Sequence, residues 1–187
     1  MDVKEAIVKR RAYRSLDSVE ISDELIYDLA ESAGLSASCF NNQPWRFVFT
    51  RNPKILSRLH GVVSRGNRWV QRASMIVAVF SKKEDDCIIK GREYHHFDTG
   101  MAVAFMILRA TELGFVAHPI GGYNEDKVKE ILGIPTELQV ITLVNIGKKS
   151  DTINDLLSED QKSTEDIRPK RLPLDKYAWI DKYQKIF

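Results

Sequence analysis

"YHHFDTGMAVAFMILRATELG", residues 94–114, is the longest helix-periodic segment of this 187-residue chain. From Met101 to Leu108 it is apolar on nearly every face, and such a helix belongs at the centre of a core or in a subunit interface. Just upstream, "SMIVAVFS" (74–81) is a continuous apolar run of strand length, the pattern of a buried central strand. Just downstream, "FVAHPIGGYNEDKVKEILGIP" (115–135) reads as a short strand, a glycine turn and a helix. Asn124 serves as N-cap, Glu125 and Asp126 suit the positive end of the helix dipole, and Gly133 with Pro135 ends the helix. "LQVITLVNIG" (138–147) is a further strand.

The first half of the chain mixes the same elements. Val3, Ala6 and Ile7 give helical spacing to residues 2–11. Leu25, Ile26, Leu29, Ala30 and Ala33 do the same for 22–34, where Gly34 supplies a stop. "SASCFNNQP" (36–44) reads as loop, and "WRFVFT" (45–50) alternates as a strand. Asn52 and Pro53 look like an N-cap and first helical position, opening a helix through about Val62. Residues 148–170 are polar and read as a mobile connection, and an aromatic tail, 171–187, closes what is expected to be a single domain, 1–187. Helices and strands do not alternate as in a doubly wound fold, and no GxGxxG follows a strand. An α+β domain with a mainly antiparallel sheet is the expectation.

Composition narrows the function. With 28 Lys and Arg against 26 Asp and Glu, the chain lacks the basic excess of a nucleic-acid binder. No segment approaches the roughly 20 apolar residues of a membrane span, and "MDVKEAIVKR" has no apolar run long enough for a signal peptide. These features predict a soluble, cytoplasmic protein with neither nucleic-acid nor membrane partner. Cys39 and Cys87 are too few and too far apart for a disulfide framework or a CxxC site, so reduced thiols are expected. His95, His96, Asp98 and His118 show no i, i+4 pair and no HExxH spacing, so no metal site is expected.

Several stretches carry possible chemistry. "KRRAYRS" (9–15) puts four cations in seven residues, and guanidinium forks grip phosphate oxygens bidentately. A solvated helix end explains the same residues. A second cluster, "RPKRLP" (168–173), would close on the same phosphate if the ends of the chain meet. The loop 36–44 offers amides and hydroxyls for a heterocycle edge, or ordinary turn chemistry. Gly121 and Gly122 let backbone approach a flat ligand, and a plain tight turn explains them equally well.

Taken together, "RRAYRS", "SASCFNNQPWRF", "DTGMAVAFMILRATELGF", "HPIGGYNEDKVKEILGIP" and "PKRLP" resemble, in order and spacing, the FMN-dependent nitroreductase family over nearly the whole chain. The resemblance implies an α+β sandwich, a mainly antiparallel central sheet flanked by helices, in an intertwined homodimer whose interface the 171–187 tail approaches. It implies FMN as cofactor, held at its phosphate by Arg10, Arg11, Ala12, Arg14 and Arg171, with Lys170 beside them. Ala37, Ser38, Cys39 and Asn41 would reach over the flavin of the partner subunit, and Ile120, Gly121 and Gly122 would lie beside its ring. NAD(P)H would reduce the flavin and a nitroaromatic or quinone would reoxidise it in ping-pong kinetics, with no catalytic side chain because the cofactor carries the chemistry. The alternatives are dehalogenation or flavin reduction by a relative, and a flavin sensor or store. Ala12 and Cys39 stand where serine is common in the family, and Gly121 where some members carry an acid.

Overall fold

The protein is described from a computed structural model covering residues 1–184. Its first helix, α1 (Val3–Lys9), opens with a capping box in which Asp2 and Glu5 satisfy each other's backbone amides, and it ends at Arg10. A two-residue strand, β1 (Leu16–Asp17), leads to α2 (Asp23–Gly34), capped by Ser22. Strand β2 (Arg46–Thr50) precedes α3 (Pro53–His60), where Asn52 caps and Pro53 occupies the first turn as expected. Strand β3 (Met75–Ser81) is buried along its whole length. A small hairpin, β4 (Ile88–Ile89) with β5 (Arg92–Glu93), has no counterpart in the sequence reading.

The long helix α4 (His95–Glu112) then crosses the domain, followed by β6 (Val116–Ile120), α5 (Glu125–Leu132) and the eleven-residue β7 (Gln139–Lys149). Asn124 caps α5, and Gly133 ends it in the left-handed region at φ 67°, where glycine carries no Cβ penalty. Residues 148–170 are more structured than their polarity suggests. β7 runs on to Lys149, α6 (Glu159–Thr164) has a Ser158–Gln161 capping box, and Leu157 and Glu165 are buried. The tail exposes Leu172, Leu174, Tyr177 and Tyr183, and its last three residues lie outside the described ones.

All strand pairings are antiparallel. β7 organises the main sheet: β3 and β6 both pair with its Leu143–Ile146 stretch from opposite edges, β2 adds outside β3, and β1 extends the far end of β7. Because side chains alternate along a strand, β3 feeds two cores. Ile76, Ala78 and Phe80 meet Leu56, Leu59, Trp69 and Val128 on the α3/α5 side. Met75, Val77 and Val79 meet Leu29, Ala33, Ala102, Met106 and Ala110 on the α2/α4 side. Helix α4 is buried on one face only, since Phe105 is 45% exposed. The Asp28 carboxylate ties α2 to Arg109 of α4 at 2.5 Å. Among the described residues no helix is long and apolar enough to cross a membrane.

Candidate functional site

The two basic clusters meet. Arg10, Arg11, Arg14, Arg168 and Arg171 line one cavity of about 240 Å³, together with Ala12, Thr164 and Glu165. Lys170 does not line it, although Pro169 and Arg171 on either side do. α1 ends at Arg10, and residues 10–14, in neither helix nor strand, run beside 165–168.

The arginines divide into two groups. Arg11 donates through Nη2 to the Glu165 carbonyl at 2.9 Å and through Nη1 to the Asp166 carbonyl at 3.2 Å. Arg168 donates back to the carbonyls of Val8 and Arg10. These two stitch the chain's ends together, and their forks are already engaged. Arg10 and Arg171 make no ion pair among the described residues. Burial, then the neighbouring Arg171, Arg168 and Arg11, hold Arg10 below the ordinary arginine value, a repulsion that a bound anion relieves.

Glu165 is the residue that sequence reading missed, because a single acid in a polar stretch carries no signal. It is 3% exposed; its Oε1 accepts the backbone hydrogens of Arg14 and Ser15 at 2.7 Å each. Its Oε2 lies 3.6 Å from the Arg14 guanidinium. Nearby, His118 of β6 donates from Nδ1 to the Tyr13 carbonyl at 3.0 Å and packs on Trp69 at 4.5 Å between centroids. Burial drives its pKa down to about 4, so the imidazole is neutral at pH 7.

β6 carries the chain from His118 to the glycine turn, three residues and about 10 Å further on. The two glycines serve different ends. A Cβ on Gly121 would meet nothing within 4 Å, so this backbone is open to a ligand. A Cβ on Gly122 would collide with Ser64 Oγ at 2.4 Å and Asn67 Nδ2 at 2.7 Å, so here glycine answers to the protein's own packing. The Gly122 carbonyl accepts from Ser64 N at 2.8 Å and Asn67 Nδ2 at 3.1 Å. The amide hydrogens of Gly121 and Gly122 find no protein acceptor among the described residues. Ile120 is 6% exposed and its side chain belongs to the core, leaving only its backbone for a ligand.

The loop from Ala37 to Asn41 lies elsewhere. Phe40, Asn41 and Gln43 all have left-handed φ, at 48°, 60° and 50°, and Phe40 is 89% exposed. The strain is held by bonds from Gln43 N to Ser38 Oγ at 2.9 Å and from Cys39 N to Asp98 Oδ2 at 2.7 Å. Cys39 is disulfide-bonded to Cys87, which corrects the expectation of free thiols. Sequence spacing could not show a pairing across 48 residues that only the packing of this loop against Asp86 and Cys87, just before β4, creates. Asp98 lies in the first turn of α4, whereas Leu108, ten residues on, borders a second opening lined by Arg10, Arg168 and Arg171. At 1.5 Å per residue, loop and arginine cavity are about 15 Å apart along one chain's α4.

A family model, described as the nitroreductase family, matches residues 7–72 and 61–148. The chain belongs to the nitroreductase family. A solved structure described as "the oxidoreductase containing FMN" is 28% identical and superposes with a TM-score of 0.84 over 99% of this chain and 94% of that one. A nitroreductase family protein from Clostridium novyi NT shares the fold at 24% identity and a TM-score of 0.75, covering 100% of this chain and 97% of that chain. The relative named "Putative NAD(P)H nitroreductase YdgI", from Bacillus subtilis (strain 168), is 26% identical over 187 residues, 80% of this chain and 90% of its own.

Proposed function

We propose that this nitroreductase-family chain is an FMN-dependent oxidoreductase that passes electrons from NAD(P)H to a small nitroaromatic or quinone acceptor. The observation that carries the reading is a cavity of clustered arginines linked to an open glycine turn by β6, whose His118 bonds to the Tyr13 carbonyl next to Arg14 and whose end leads into Gly121. One end suits a terminal phosphate and the other a flat ring. The FMN in the 28% identical structure and the NAD(P)H in the name of YdgI support the same assignment.

Arg10, Arg14 and Arg171 would hold the phosphate, while Arg11 and Arg168 keep the two segments in register around it. Backbone of Ile120, Gly121 and Gly122 would flank the ring, and the unpartnered amide hydrogens of the glycines favour negative charge there. When bound, the flavin supplies hydride and electron transfer between donor and acceptor. The chain's own contribution is positioning: Ser64 and Asn67 fix the glycine turn, and Glu165 fixes the backbone that carries Arg14.

We infer further that the working form is a homodimer. Val3, Ile7, Leu35 and Phe105 expose an apolar face across α1, α2 and α4, and Val3, Leu35 and Phe105 line a cavity of about 380 Å³ there. The separation of the Ala37–Asn41 loop from the arginine cavity supports a site completed by the loop of a second copy.

The test is steady-state oxidation of NADH and NADPH by FMN-loaded protein with menadione or nitrofurazone. The expected result is turnover with parallel reciprocal plots at several acceptor concentrations. Tight FMN binding without oxidation of either nicotinamide would favour a flavin store, and intersecting plots would remove the shared-site mechanism.

A further inference from the structure

Away from the arginine cavity, two cysteines and two buried acids converge where residues 39–42 pack against Asp86 and Cys87, just before β4, and against Asp98 in the first turn of α4. The sulfurs of Cys39 and Cys87 and a carboxylate oxygen of Asp86 all lie within 4.8 Å of one another. The Cα atoms of the cysteines are 6.0 Å apart. Asp86 is 91% buried, its Oδ2 has no hydrogen-bond donor among the described residues, and its carboxyl lies against that of the buried Asp98. Among the described residues Asp86 makes no ion pair, whereas its sequence neighbour Asp85 pairs with Arg46 and Lys82.

We propose that Cys39, Asp86 and Cys87 form a zinc site in the reduced protein. Zinc takes thiolate sulfur at about 2.3 Å and carboxylate oxygen at about 2.0–2.2 Å in a tetrahedron, which sets neighbouring ligand atoms roughly 3.5–3.8 Å apart. Once the disulfide is opened the two sulfurs need only separate to that spacing, the carboxylate oxygen already lying within 4.8 Å of both, and the three residues leave a fourth position for water. The groups behind the ligands are also in place. Asn42 Nδ2 lies 3.3 Å from Asp86 Oδ1 and 3.5 Å from the Cys87 sulfur, and so orients both. The Cys87 amide donates to Asp86 Oδ1 at 2.8 Å, and the Cys39 amide donates to the buried Asp98 at 2.7 Å. Such outer hydrogen bonds fix the ligands of protein metal sites.

The chemistry balances. Two thiol groups deliver two electrons and two protons to the Cys39–Cys87 bond and become a disulfide; a phosphine delivers the two electrons, while water gives the two protons and leaves its oxygen on the phosphine oxide. The two thiols then release their two protons as zinc binds two thiolates. Oxidised protein has no thiolate to offer, so disulfide and zinc exclude each other. Either state holds the strained Phe40–Gln43 backbone, and the choice between them is made by thiol redox conditions.

The experiment uses full-length chain, stripped with a chelator, reduced with a phosphine, freed of reductant under nitrogen and titrated with Zn²⁺ against a chromophoric chelator. One zinc per chain is expected in reduced protein and none in oxidised protein. Co²⁺ in place of zinc should give a near-ultraviolet thiolate charge-transfer band. Cys87→Ser should abolish tight binding, Asp86→Asn should weaken it at least tenfold, and Asn42→Ala should weaken it about tenfold or more. Failure of reduced wild type to bind zinc, or binding by Asp86→Asn as tight as wild type, overturns the proposal. Should Cys87→Ser fail to fold, the cobalt spectrum of wild type decides, since absence of the thiolate band also overturns it. None of these readouts involves flavin or nicotinamide.

Discussion

The Glu165 carboxylate accepts the backbone hydrogen of Arg14 at 2.7 Å and lies 3.6 Å from the same residue's guanidinium. One buried acid therefore sets both the backbone and the charge of an arginine that faces the cavity. Charged hydrogen bonds contribute about 1.5–3 kcal/mol each, and an orphaned buried donor costs about 1–3 kcal/mol. Glu165→Ala should lower unfolding free energy by about 3 kcal/mol or more in urea at pH 7, with Glu165→Gln losing less. A loss below about 1 kcal/mol for the alanine variant would remove Glu165 from this role.

The division among the basic residues separates affinity from stability. Arg10→Ala, Arg14→Ala and Arg171→Ala should each weaken FMN binding by roughly 10- to 100-fold, the equivalent of about 1.5–3 kcal/mol. Lys170→Ala, outside the cavity, should change it less than about twofold. Fluorescence titration of FMN into apoprotein measures all four. Equal retention by every variant would sink the phosphate assignment.

Neighbouring glycines should respond in opposite ways. Gly122→Ala forces a methyl against Ser64 Oγ and Asn67 Nδ2, and overpacking of this kind costs about 1–3 kcal/mol. Its melting temperature should fall. Gly121→Ala enters open space, so the fold should tolerate it while FMN affinity drops. Thermal melts paired with flavin titration distinguish the two effects.

His118 ties stability to pH. Its folded pKa of about 4 lies below its ordinary 6.5, so the unfolded chain binds the extra proton first. The stabilisation is complete above about pH 6.5 and is lost as pH falls from there through 4, up to about 3 kcal/mol in total. The Arg10 and Arg14 charges oppose protonation and Glu165 favours it. His118→Asn, which keeps a donor for the Tyr13 carbonyl, should flatten that part of the urea-stability curve. An unchanged slope would show that another group titrates there.

Mixed dimers test whether a site is built from two chains. One variant carries Arg10→Ala with Arg14→Ala and the other Ser38→Ala with Asn41→Ala. Each homodimer should bind FMN poorly. Unfolded, mixed and refolded together, they should regain it, because a heterodimer has one site with neither defect. Differentially tagged heterodimers that show no recovery would place both motifs in the site of one chain.

Local physics decided what the sequence made legible. Met75–Phe80 is apolar at every position because a central strand is covered on both faces, and the helix bounds marked by Asn52–Pro53 and Asn124 to Gly133 depend on groups a few residues apart. The ordered motifs likewise pointed to the family and to the arginines of both termini. Tertiary structure decided which of those groups meet. Glu165 finds Arg14 across 151 residues, and Cys39 finds Cys87 across 48. Neither contact leaves a periodic or spacing signature, so neither could be read. What Arg11 and Gly122 touch within the protein is hidden from the sequence for the same reason. Their partners, the Glu165 and Asp166 carbonyls and the Ser64 and Asn67 side chains, are brought to them only by the packing of distant segments.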